Sequence, residues 1–191
     1  MFVGGPGTGK TTLCLRFIAE GLARGEPAAM LVMGRGSDVK AHALHLGLDL
    51  NAALRHERLI LLRYRSDFAQ RIGHAPTAQS VIDDFEWLIA PIHPSRIVVD
   101  SIAPLLGEPG ASGSALAALA ALLERIGATS ALTYPEDVTA GYDRRLEPLM
   151  QDAAAILRFD RAASDREVAV MTLTSRGAPL ERAVAAPGVR S

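Results

Sequence analysis

Residues Gly4-Gly5-Pro6-Gly7-Thr8-Gly9-Lys10-Thr11-Thr12 match the pattern G-x-x-x-x-G-K-[ST] in full. The pattern belongs to a phosphate-binding loop (P-loop) between a strand and a helix. Its glycines let the backbone curl until successive N–H groups point at one phosphate, where a Cβ would collide. The following helix aims the positive end of its dipole at the same place. On this reading Gly5, Pro6, Gly7, Thr8, Gly9, Lys10, Thr11 and Thr12 cradle a nucleoside triphosphate. Lys10 reaches the β- and γ-phosphates, and the Thr11 hydroxyl holds Mg²⁺.

Both flanks fit. Phe2-Val3 is apolar and β-prone, and Thr11–Arg24 reads as an amphipathic helix. Leu13, Phe17 and Leu22 share one face of it, and Gly25 stands where it should stop. Met1 leaves at most three residues for the leading strand, where about five or six are usual. A short first strand is therefore expected, whether through trimming of the chain or through a late start codon.

The length, 191 residues, suits a single domain spanning 1–191 with a sizeable core. Apolar residues make up 49%, rich in Ala and Leu, as buried parallel strands flanked by helices require. With 20 basic against 21 acidic residues there is no global field to draw in nucleic acid or an anionic membrane. No apolar run is long enough to span a bilayer, and no signal segment opens the chain. The lone cysteine, Cys14, reads as a small core residue. A cytoplasmic location is expected.

Short apolar runs alternate with amphipathic stretches along the chain. Ala28–Met33, Arg58–Arg63, Arg96–Asp100 and Ala128–Tyr134 read as strands. Between them, helices are expected from a Ser37 cap to His45, ended by Gly47, and from a Thr77 cap with Val81, Phe85 and Leu88 on one face. A further helix carries Leu116, Leu119, Leu123 and Ile126. Trp87 reads as core packing. Residues 135–148 read as a mobile loop, Ala154–Phe159 and Glu167–Leu173 as an antiparallel hairpin at the sheet edge, and 180–191 as a loosely ordered tail. The fold class expected is α/β, a three-layer core with a mostly parallel sheet, helices on both faces and the C-terminal hairpin.

Ile97-Val98-Val99-Asp100-Ser101 has the form of a Walker B strand. Three apolar residues bury it, and a carboxylate emerges at the C-terminal edge where α/β sheets bind ligands. Asp100 is expected to join Thr11 in serving Mg²⁺, through waters beneath the phosphates.

At this point a resemblance emerges. Val3 through Leu13 with Ala19-Glu20-Gly21, Gly25-Glu26-Pro27, Leu46-Gly47-Leu48-Asp49-Leu50, Arg96 through Ser101 and Ser175-Arg176-Gly177 resemble, in order, a KaiC/RadA-type ATPase domain of the RecA superfamily. The resemblance implies a RecA-like core, ATP with Mg²⁺, and assembly through the nucleotide edge with copies of itself or with another protein.

The departures are as informative. Such domains carry paired glutamates after the second strand to polarise the attacking water. Here those positions fall on Met33 and Gly34, and 28–36 holds no carboxylate. Arg35 is no base at neutral pH, and Asp38 reads as solvent-facing. A positioned general base contributes about 10²–10⁴-fold to a rate, so binding should survive while chemistry slows. The family's Lys-x-Arg-Gly pattern reads Thr174-Ser175-Arg176-Gly177 here. The lysine is gone, while Arg176 stays either as an arginine finger for a neighbouring subunit or as a solvated arginine beside a turn. A histidine usual after this motif is replaced by Leu180.

His42 and His45 share a helical face at a spacing that could hold a metal, but no third ligand is evident, so both read as surface residues. Asp83, Asp84 and Glu86 read as a wet helix face. The expected function is an ATP-binding, nucleotide-responsive regulatory or scaffold module with weak or absent hydrolysis, with Lys10 and Arg176 as its catalytic candidates. An active ATPase using Glu136 or Asp137 as base is a second reading. A DNA motor is the third; it lacks a basic, aromatic-bearing loop, and Gly107-Glu108-Pro109-Gly110 is acidic.

Overall fold

The computed structural model describes residues 1–33, 39–64, 78–106, 114–135, 146–161, 168–173 and 183–185. They divide into two compact units, one of Thr11–Leu132 and one of Met1–Lys10 with Thr133–Ser191.

Within the first unit, strand β2 (Ala28–Met33) is buried at every position. It lies between β3 (Leu59–Tyr64) and β4 (Arg96–Asp100), both parallel to it. The first half of β5 (Thr129–Pro135) runs parallel to β4. Parallel strands covered on both faces must be apolar throughout, which is why AAMLVM and IVV show no alternation. The helices here are α1 (Lys10–Ala23), α2 (Val39–His45), α3 (Asn51–Arg55), α4 (Ala78–Ile89) and α5 (Ser114–Ile126). Their fully buried side chains include Leu15, Ile18, Ile82, Phe85, Ile89, Leu119 and Leu122, each contributing about 1.5–3 kcal/mol by leaving water.

The helix faces differ from the sequence expectation in detail. The buried side of α1 is Cys14, Leu15, Ile18 and Gly21, with Leu13, Phe17 and Leu22 only half-buried. On α4, Ile82 and Ile89 join Val81 and Phe85 in the core, and Leu88 turns partly outward. Trp87 does not pack; it is 76% exposed. One residue is a 100° step on a helix, so a stripe read from spacing alone swings when both neighbours are apolar. Helix α3, at five residues, is too short to show a period in the sequence.

Arg96 pins the far end of α1. Its Nε donates to Glu26 Oε2 at 2.5 Å and its Nη1 to the Phe17 carbonyl at 2.8 Å, while the guanidinium stacks 4.7 Å from the Phe17 ring centroid. This explains the half-exposed Phe17, which is covered by a cation rather than by core. It also explains Gly21, where a Cβ would run into the Arg96 side chain.

In the second unit, β1 (Phe2–Gly4) runs parallel to the last residues of β5, with Phe2 opposite Thr133, and parallel to β6 (Ile156–Arg161). Strand β6 pairs antiparallel with β7 (Val168–Leu173), and β7 with β8 (Ala183–Ala185). Phe2 and Phe159 meet edge to face at 6.1 Å. Within the 135–148 segment read as a loop, Pro135 closes β5 and Glu147 opens α6 (Glu147–Asp152), anchored by the buried Leu146 and Leu149. Residues 136–145 lie outside the described residues. The tail read as loose contributes β8, because the outer edge of β7 offers backbone partners. The secondary structure is that of an α/β protein with mostly parallel pairing, as expected. No helix among the described residues is long and apolar enough to cross a membrane.

Candidate nucleotide-binding site

The loop between β1 and α1 has the backbone its glycines permit. Gly7 and Gly9 take φ of 76° and 88°, a region closed to most side chains. A Cβ on Gly4 would strike the Phe159 carbonyl and lie 3.2 Å from Thr8 Oγ1. Thr8 is buried and donates to the Gly5 carbonyl at 2.9 Å. Lys10 Nζ donates to the Gly4 and Gly5 carbonyls, both at 2.7 Å, and approaches Thr8 Oγ1 at 3.3 Å. Through these contacts the ammonium is folded back onto its own loop. Phosphate oxygens, being anionic, would compete for it favourably.

One peptide bond further on, Thr11 Oγ1 donates to Asp100 Oδ2 at 2.7 Å, closing a separation of 89 residues. Sequence placed both at the sheet's carboxyl edge, and the structure brings them into contact. The chemistry of this donor set fits Mg²⁺, a hard cation that takes oxygen ligands and keeps several waters. Among the described residues no group of three or more His, Cys, Asp or Glu side chains gathers as a metal cage. A cation here would need water and phosphate oxygens to fill its coordination, as is usual for Mg²⁺ with nucleotides. Thr11 and Asp100 would hold it, and it would supply charge neutralisation to the phosphates.

The register carries a second result. Val32 of β2 lies opposite Asp100 of β4, so Met33 is the next residue along β2 at the same edge. Met33 is buried, at 8% exposure. A thioether there accepts no proton from water. Gly34, Arg35, Asp38, Glu136, Asp137, Arg176 and Leu180 lie outside the described residues.

The helix α2 contributes something the sequence reading missed. His42 is not a free surface residue; its Nε2 lies 3.2 Å from Thr12 Oγ1, in the first turn of α1. His45 is exposed, as expected. A contact across thirty positions leaves no periodic trace, and only the tertiary fold reveals it. A separate cavity of about 350 Å³ is lined by Ala19, Leu22, Leu48, Leu50, His56 and Arg58 among others. Its α1 residues stand roughly 12–17 Å along the helix from Thr11, at the negative end of the dipole. It is no phosphate cradle.

Comparison with known proteins agrees with this geometry. The family model described as "ATPase: KaiC" matches residues 1–185. A protein of Aeropyrum pernix named UPF0273 protein is 27% identical over 180 residues, covering 86% of this chain and 70% of that one.

Proposed function

Because this chain belongs to the KaiC family of ATPases, with the nucleotide-binding P-loop that defines its site, we propose that it binds Mg-ATP and cleaves it slowly or not at all. It would serve as a nucleotide-responsive regulatory or scaffold domain. The loop from Gly5 to Thr12 takes the phosphates, Lys10 leaves its backbone carbonyls for the β- and γ-phosphate oxygens, and Thr11 with Asp100 holds Mg²⁺. The observation that carries the reading is the Thr11–Asp100 contact beside a β2 edge that presents Met33 instead of a carboxylate.

Magnesium dependence tests the binding half. Titration calorimetry with ATP should show clear weakening when Mg²⁺ is replaced by a chelator. Asp100→Asn should weaken the Mg²⁺ contribution by about 10–100-fold, the usual effect of an outer ligand to a metal. Binding that ignores Mg²⁺ in the wild-type chain would remove Thr11 and Asp100 from the metal site.

The family resemblance supports assembly through the nucleotide edge, with Arg176 reaching a neighbour's γ-phosphate. Sedimentation velocity should reveal larger species with ATP than without, weakened by Arg176→Ala. Identical profiles with and without ATP would sink this part. Nucleic acid is not an expected partner, given the balanced charge.

A further inference from the structure

Thr12 Oγ1 and His42 Nε2 are 3.2 Å apart, joining the first turn of α1 to the middle of α2. Helix α2 is seated by Val39 and Ala43, at 1% and 0% exposure, so the His42 ring is presented from an anchored element. The chemistry of the pair is restrictive. A threonine hydroxyl has one hydrogen and two lone pairs; a neutral imidazole has one N–H and one bare nitrogen. If Nε2 is bare, it takes the Thr12 hydrogen and leaves only lone pairs for anything at the N-terminus of α1. If Nε2 carries the hydrogen, it donates to Thr12, whose own hydrogen is then free for an anion.

We propose that His42 is a positioning residue for the bound nucleotide: its Nε2–H donates to Thr12 Oγ1 and turns the Thr12 hydrogen toward a phosphate oxygen. The inference rests on the reading that the P-loop holds a nucleoside triphosphate. Occupancy selects the Nε2–H tautomer, and two hydrogen bonds in series polarise each other. His42 touches no phosphate itself. Through this bond α2 senses whether the loop is filled, and α2 lies shortly after the β2 edge where Met33 stands.

The test combines calorimetry with ¹⁵N NMR of the histidine ring in the full chain. In the nucleotide-free protein, Thr12→Val should shift the His42 ring nitrogens, a readout that needs neither ligand nor turnover. Adding Mg-ATP to the wild type should move His42 toward the Nε2–H signature. His42→Ala and Thr12→Val should each weaken Mg-ATP binding about three- to tenfold, the worth of one net hydrogen bond. The double variant should be no worse than either single one. His42→Gln, which offers an N–H at similar reach, should recover most of the loss. Ring signals indifferent to Thr12→Val, losses that multiply in the double variant, or full affinity in His42→Ala would overturn the proposal while leaving the P-loop reading intact. Absence of ATP binding in the wild type would overturn both.

Discussion

Lys10→Ala should lose Mg-ATP binding by about a hundredfold or more, the largest effect of any single substitution at the loop. A hydrogen bond to a charged partner contributes about 1.5–3 kcal/mol, and the ammonium has donors for more than one phosphate oxygen. A loss near 3 kcal/mol is roughly 150-fold in Kd. The free chain should be much less affected. Lys10 there bonds to the Gly4 and Gly5 carbonyls and approaches Thr8 in a part-buried setting, so water can replace the ammonium at those carbonyls. Calorimetry measures the affinity, and thermal unfolding separates binding from folding. The free variant should melt within a few degrees of wild type, while the upward shift produced by excess ATP, which grows with ligand over Kd, should disappear. Lys10→Arg keeps the charge but not the compact ammonium, and should fall between the two. Wild-type affinity in Lys10→Ala would end the assignment of the loop.

How much of this was legible beforehand depends on the range of the interaction. Strands β2 and β4 are built around unbroken apolar stretches, and α1 starts at Lys10 where the glycine-rich loop ends, because local sequence sets these elements. Asp100 could be found because a carboxylate closing a buried strand is a local signal. Which helical face is buried was less legible. Phe17 is covered by the guanidinium of Arg96, seventy-nine residues away, rather than by the core. Trp87 sits beside Leu88 and Ile89 in the same apolar run, yet the α4 axis turns it to solvent. Short elements such as α3, α6 and β8 hold too few residues to display a period. The His42–Thr12 contact had no signal in the chain at all, since it needs the fold to bring α2 against α1.

The second large effect concerns chemistry. Phosphate release from Mg-ATP by the wild-type chain should lie near the uncatalysed background, and installing a carboxylate at the end of β2 should raise it about a hundredfold, the lower end of what a positioned base contributes. The β2–β4 register makes the experiment specific. Val32 pairs with Asp100 and Met33 follows, so Met33→Glu, alone or with Gly34→Glu, puts a carboxylate one strand away from the Asp100 strand end. Met33 is buried and also pairs with Tyr64 on the other side. A lone carboxylate there loses hydration, which destabilises the free chain by a few kcal/mol at most. It also lifts the carboxyl pKa toward neutrality, where a general base works best. ATP affinity should stay within about threefold of wild type, because a base acts on the water and not on the bound phosphates. The two readings of this chain then separate cleanly. If the wild-type chain already turns over at roughly 1 s⁻¹ or faster, as active phosphoryl-transfer enzymes do, slow chemistry is the wrong description. Glu136→Gln and Asp137→Asn would then locate the base that the β2 edge lacks.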